Sequence, residues 1–280
     1  MSVVYRAYDP SLDRHVALKL IPPWEDELAF ARLEREARAM AQLSHPHVAT
    51  VYEVGQHDGR CFISMELVEG QTMKDWVSET ARPWTEVLRA YLQAGRGLAA
   101  AHRAGLVHRD FKPSNVLIGD DGRVRVVDFG LARPVAFDGS AEVLDDEHHS
   151  GELLLPDDEA SDRRVDSSHV TVSGVISGTP AYMSPEQHRG GLASVASDQF
   201  AFAVTLWEAL YRERPFPGRT PFAVTHAITE GLLQDPPRTY IPGWVEAILR
   251  RALAHAPEDR YESMGDMLAA FFFTWQIMYR

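Results

Sequence analysis

Apolar and polar positions alternate along Arg14–Ile21, with Val16, Leu18 and Leu20 on one face and Ala17, Lys19 and Ile21 on the other. A period of two predicts a strand. Val3–Tyr8 reads as a strand before it, and Asp9-Pro10-Ser11 marks the turn between them. The period then lengthens. Leu33, Met40 and Leu43 recur at helical spacing and predict a helix over Glu25–Leu43, with Glu36 on the same apolar stripe. A carboxylate facing a core is costly unless a cation joins it, and Lys19, which shares a strand face with small Ala17, is the candidate partner. Val48–Gly55 and Arg60–Leu67 read as two further strands around His57-Asp58-Gly59, and Glu69-Gly70 ends this smaller unit. From Met73 the chain turns helical, with a long helix over Val87–Ala104 and others at 221–230, 244–254 and 263–275. Ser197–Tyr211 is apolar nearly all round, which places that helix inside a lobe. The chain shows no internal repeat.

Composition adds limits to this picture. A chain of 280 residues, 45% hydrophobic, can bury a sizeable core in one domain or two packed lobes. The single cysteine, Cys61, cannot form an internal disulfide; it suits a buried strand position and a reducing cytoplasm. No signal peptide opens the chain, and the apolar tail Met267–Met278 is interrupted by Thr274 and Gln276 and is too short to span a bilayer. A cytoplasmic protein without a membrane span is expected. The net charge of −12 is local: Pro134–His169 holds 11 acids against Arg163 and Arg164, which is −9 of the total. An acidic, low-complexity insertion is therefore expected at 137–169. No basic cluster points to nucleic acid. Glu147-His148-His149 falls in the acidic stretch without a further spaced ligand set, so it reads as a solvated loop.

The densest chemistry lies in His108-Arg109-Asp110-Phe111-Lys112-Pro113-Ser114-Asn115, followed by Asp128-Phe129-Gly130. A carboxylate at Asp110 can orient a hydroxyl and accept its proton. An ammonium at Lys112 can offset charge developing on a transferred phosphoryl group. Asn115 and Asp128 can supply oxygen ligands to two magnesium ions. Together these suit phosphoryl transfer from Mg-ATP to a hydroxyl. The chain resembles the eukaryotic-type protein kinase family, and Gly-Thr-Pro-Ala-Tyr-Met-Ser-Pro-Glu-Gln at 178–187 is most similar to the bacterial serine/threonine kinases.

That resemblance implies an α+β, two-lobed fold spanning 1–280. The small lobe, 1–68, would be an antiparallel sheet with one helix; the mainly helical large lobe would be 69–280. It implies ATP and Mg2+ as cofactors and protein Ser/Thr hydroxyls as acceptors. Lys19, in Val-Ala-Leu-Lys, would grip the α- and β-phosphates with Glu36 as its helix partner. Ser64-Met65-Glu66-Leu67 resembles the hinge, with Met65 as gatekeeper and the backbone of Glu66–Val68 at the adenine edge. Val4, Ala17 and Leu117 would sandwich the base. Thr179 would lie in the segment that docks substrate, Glu186 would pair with Arg260, and Asp198 would hold the backbone of the catalytic loop. Arg109 would hold a phosphorylated activation-loop residue, with Thr171, Ser173 and Ser177 as candidates. Autophosphorylation there is the expected on-switch, with self-association of two copies as its route in trans.

Two departures stand out. Only Ser2 and Val4 fall where the family's Gly-x-Gly-x-x-Gly-x-Val would end, so the first strand and most of the phosphate-covering loop would lie upstream of Met1, through either a late recorded start or a truncation. This leaves a pseudokinase or scaffold with impaired ATP binding as the alternative reading. The activation segment, Asp128–Glu186, is long because of the acidic insertion.

Overall fold

The structure, a computed structural model, describes residues 3–21, 27–57, 60–129 and 180–278, with side chains left out over 27–33. The expected strand pair is present as β1 (Val3–Asp9) and β2 (Arg14–Ile21). With β3 (Val51–His57) and β4 (Arg60–Glu66) they form an antiparallel sheet in the order β1-β2-β4-β3. Helix α1 (Glu27–Gln42) follows β2; its stripe seats Ala37 and Met40 in the core with Ile21, Cys61 and Ile63. Cys61 is buried on a strand, as its neighbours predict.

The register decides what this sheet shows to the cleft. Val4 faces Lys19 across the first ladder, and Ala17 faces Met65 across the second. Since directly opposed residues and every second residue share a face, Val4, Ala17, Lys19 and Met65 stand on one side of the sheet.

The rest of the chain is mainly helical. Three elements precede the 108–115 loop: β5 (Gly70–Thr72), α2 (Met73–Glu79) and the long α3 (Trp84–Arg103). Beyond it come β6 (Val116–Gly119) and β7 (Val124–Val126), then α4 (Pro185–His188), α5 (Val195–Tyr211), α6 (Pro221–Thr229), α7 (Gly243–Ala252) and α8 (Met264–Met278). Strands β5, β6 and β7 make a second antiparallel sheet that periodicity does not anticipate. Strands of three or four residues are too short to display a period.

Helix α5 is the interior helix that its composition demands. Phe200, Phe202, Leu206 and Trp207 are fully buried, and each such side chain contributes about 1.5–3 kcal/mol by leaving water. Its start is fixed by Ser194, whose hydroxyl accepts the Ser197 N–H, and its end by Arg212 in the left-handed region, φ 60°. Segment 47–49 then ties the sheets together. Ala49 N donates to Val126 O and Val126 N to His47 O, both at 3.0 Å. Gly97 of α3 permits this approach: a Cβ there would sit 2.3 Å from the His47 carbonyl oxygen. No helix among the described residues is long and apolar enough to cross a membrane.

Candidate functional site

The loop between α3 and β6 is held from beneath by one carboxylate. Asp198, in the first turn of α5 and almost wholly buried, accepts the backbone N–H of His108 at 2.7 Å and of Arg109 at 2.9 Å. His102, in the last turn of α3, donates from Nε2 to the same carboxylate at 2.8 Å. Charge-assisted bonds of this length are strong, and three converging donors compensate the cost of burying the acid. The sequence reading anticipated Asp198 but not His102.

His108 locks the loop from within. Its Nε2 lies 3.0 Å from the Val127 carbonyl, which can only accept, and its Nδ1 accepts the Asp110 N–H at 3.3 Å. The ring is therefore neutral, with its proton on Nε2. Burial, the dominant cause, lowers its pKa below the ordinary 6.5 despite the nearby Asp198. The His108 ring also packs on Phe129, centroids 4.7 Å apart, and edge-on against Phe111. The two motifs so joined each contain a residue in the left-handed region, Arg109 at φ 67° and Asp128 at φ 58°. Non-glycine residues held there are strained, and the surrounding bonds supply the constraint.

On this base the reactive groups converge. Lys112 Nζ donates to Asp110 Oδ2 at 2.9 Å. Asn115 Nδ2 donates to the Asp110 carbonyl at 2.9 Å, which leaves its amide oxygen available as a metal ligand. Asp128 presents a carboxylate whose Oδ1 is 2.9 Å from Lys19 Nζ. The side-chain oxygens of Asn115 and Asp128 are hard donors, and two protein oxygens with nucleotide phosphates and water form a usual magnesium shell. Among the described residues there is no group of three or more His, Cys, Asp or Glu fit to hold a metal alone.

The pairing of Lys19 with Glu36 is not what the structure shows. Lys19, buried on β2, takes Asp128, while Glu36 Oε1 lies 2.8 Å from Arg109 Nη1. The two acids and two bases are each neutralised in this arrangement. With α1 in its observed place, Glu36 reaches the guanidinium of the catalytic loop and the ammonium is met by Asp128. Lys19, Met65, Ala49 and Phe129 line one small cavity beside Asp128. Leu117 and Val68 are half-buried, on β6 and in the connection after β4. Thr171, Ser173, Ser177, Thr179, Gly130 and the acidic stretch 137–169 lie outside the described residues.

Below the loop, Glu186 of α4 meets Arg260 as the sequence suggests. Arg260 Nη1 and Nη2 donate to Glu186 Oε1 and Oε2 at 2.8 and 2.9 Å, a bidentate pair, and the arginine side chain is 0% exposed. Its other donors reach the carbonyls of Ala196, Ala254 and His255. Ser197 donates to Glu186 at 2.9 Å. Burial raises the Glu186 pKa, but the hydrogen bonds and charge of Arg260 outweigh it and leave the group below its ordinary value.

A two-lobed fold with an Asp-Lys-Asn loop beneath a strand lysine defines a phosphotransferase of the protein kinase class. Comparison with known proteins agrees. The protein kinase domain family matches residues 1–273. The chain is 37% identical over 268 residues to serine/threonine-protein kinase PknL of Mycobacterium tuberculosis, and 33% over 275 residues to PrkC of Bacillus subtilis. These alignments cover 93% and 96% of this chain but 59% and 38% of the relatives. The chain thus spans about three-fifths or less of the length of these curated relatives. The crystal structure of the Mycobacterium tuberculosis PknI kinase domain superposes with a TM-score of 0.65 over 96% of this chain and 89% of that one, at 24% identity. The chain belongs to the protein kinase family, among the bacterial serine/threonine kinases of eukaryotic type.

Proposed function

We propose that the chain transfers the γ-phosphoryl group of ATP to Ser and Thr hydroxyls of proteins, in the cytoplasm. The observation that carries this reading is the Asp110–Lys112–Asn115 set, held on Asp198, together with Asp128 paired to Lys19. Asp110 orients the acceptor hydroxyl and takes its proton as the new P–O bond forms. Lys112, 2.9 Å from that carboxylate, offsets charge on the phosphoryl oxygens. Magnesium, held by Asn115 and Asp128, would neutralise the phosphates when bound. Lys19 supplies the cation for the α- and β-phosphates. Val4, Ala17 and Leu117 cover the adenine, Met65 closes the back of its pocket, and the 66–68 backbone reads its edge.

The lobes divide near residues 68 and 69. Thr179 contributes to substrate docking, and phosphorylation at Thr171, Ser173 or Ser177, by a second copy of the chain, draws Arg109 toward the phosphate. Glu36 then exchanges Arg109 for Lys19. The presence of Lys19, Asp110 and Asp128 together favours this activity over a scaffold that cannot use ATP. Labelled phosphate transfer to a Ser/Thr peptide mixture, with Asp128→Asn as control, tests it; transfer equal to the control would overturn it.

A further inference from the structure

Arg125 on β7 is a buried guanidinium outside the catalytic set, with its side chain 7% exposed. It binds two carboxylates from different parts of the fold. Its Nε donates to Oε1 of Glu66, the last residue of β4, at 2.8 Å. Its Nη1 and Nη2 donate to Asp121 Oδ1 and Oδ2, in the turn between β6 and β7, at 3.1 and 2.8 Å. Glu66 is also held from the other side. Its Oε2 accepts the Thr50 N–H at 3.3 Å, and its own N–H donates to Thr50 O at 2.8 Å.

The local sequence is shaped around this clamp. A Cβ on Gly119 would lie 2.6 Å from Asp121 Oδ1 and 3.0 Å from Arg125 Nη1, so glycine leaves the fork its room. The Arg125 hydrogen bond is the main reason that the Asp121 carboxyl is held well below the usual range. Lysine could not substitute, because one ammonium lacks the planar fork that holds both acids.

Glu66 begins the connection between the lobes, and its backbone is assigned to the adenine edge. We propose that Arg125 is a positioning residue for nucleotide binding: by clamping Glu66 to Asp121 it holds the 66–68 backbone where the base is read. This role rests on the kinase reading given above. A cleft of about 420 Å³, lined by Glu66, Val68, Gly119 and Asp121, flanks the clamp. Water can therefore solvate both acids when the guanidinium is removed, and Arg125→Met is expected to fold.

The test combines two measurements on the full 280-residue chain, Arg125→Met, Arg125→Lys and Glu66→Gln. Amide exchange of the 64–69 segment, read by mass spectrometry without nucleotide, should quicken about tenfold in Arg125→Met and remain fast in Arg125→Lys, with α5 unchanged. Fluorescent ADP should bind about tenfold more weakly, and the KM for ATP should rise by the same factor with less than a twofold change in kcat. Glu66→Gln, which keeps the side-chain shape, should move both in the same direction by less. Unchanged hinge exchange, or a fall in kcat with KM unaltered, would overturn the proposal. A wild-type chain that binds no adenine nucleotide would instead overturn the kinase reading and the adenine role with it, whatever the exchange result.

Discussion

The Glu36 carboxylate lies 2.8 Å from the guanidinium of Arg109, joining the helix of the small lobe to the catalytic loop of the large one. Lys19, which would otherwise receive that carboxylate, is 2.9 Å from Asp128. Under the proposed regulation, a phosphate on the activation segment would compete with the Glu36 carboxylate for the Arg109 guanidinium.

A double-mutant cycle measures that competition. Glu36→Gln and Arg109→Gln, singly and together, should show a coupling of about 0.5–1 kcal/mol in chemical unfolding, because both side chains are roughly a quarter exposed. After phosphorylation of Thr171 or Ser173 the coupling should vanish. A coupling of the same size in both forms would show that Arg109 does not change partner.

The Glu186–Arg260 pair should be a large stability determinant. Arg260→Met leaves a part-buried carboxylate without its fork and should cost about 3–5 kcal/mol in urea unfolding. The pair also sets a pH dependence. The folded-state pKa of Glu186 is depressed below its ordinary 4.5, so its contribution is present above that pH and is lost as pH falls through the depressed value. Arg260→Met should remove this part of the acid sensitivity.

His108 has a depressed pKa too, and the opposite charge type. The unfolded chain takes up a proton below about pH 6.5 that the folded ring resists, so stability should fall as pH drops below that value. One such group contributes a slope of at most about 1.4 kcal/mol per pH unit. His108→Gln should flatten the profile between pH 6.5 and 5, and nitrogen NMR of the wild type should show the proton on Nε2.

Asp198→Asn tests how the catalytic loop is held. The amide keeps the size of the acid but weakens three bonds and obliges one donor to face another. A loss of about 2–3 kcal/mol of stability is expected, with slower phosphoryl transfer at saturating ATP. Retained stability and rate would mean that the loop is held by His108 and Asn115 alone.

Much of this was legible in the residues because charge in an apolar setting needs a partner. The resemblance assigned Asp198 to the backbone of the 108–110 segment and paired Glu186 with Arg260, and both acids meet those donors. Glu36 shows the limit of that logic. An acid on an apolar stripe announces that a cation faces it; which of Lys19 and Arg109 does so depends on where α1 rests, which no local pattern encodes. Arg125 was hidden for a related reason. It lies in a three-residue strand, and its two acids come from 4 residues and 59 residues away in the chain.

Transfer of labelled phosphate from ATP by the 280-residue chain, beside Asp110→Asn and Asp128→Asn, separates an active kinase from a scaffold. Transfer to Ser and Thr is expected, reduced by about 10²–10⁴-fold in Asp110→Asn and to background in Asp128→Asn. A folded wild-type chain that transfers no more phosphate than Asp128→Asn would contradict it.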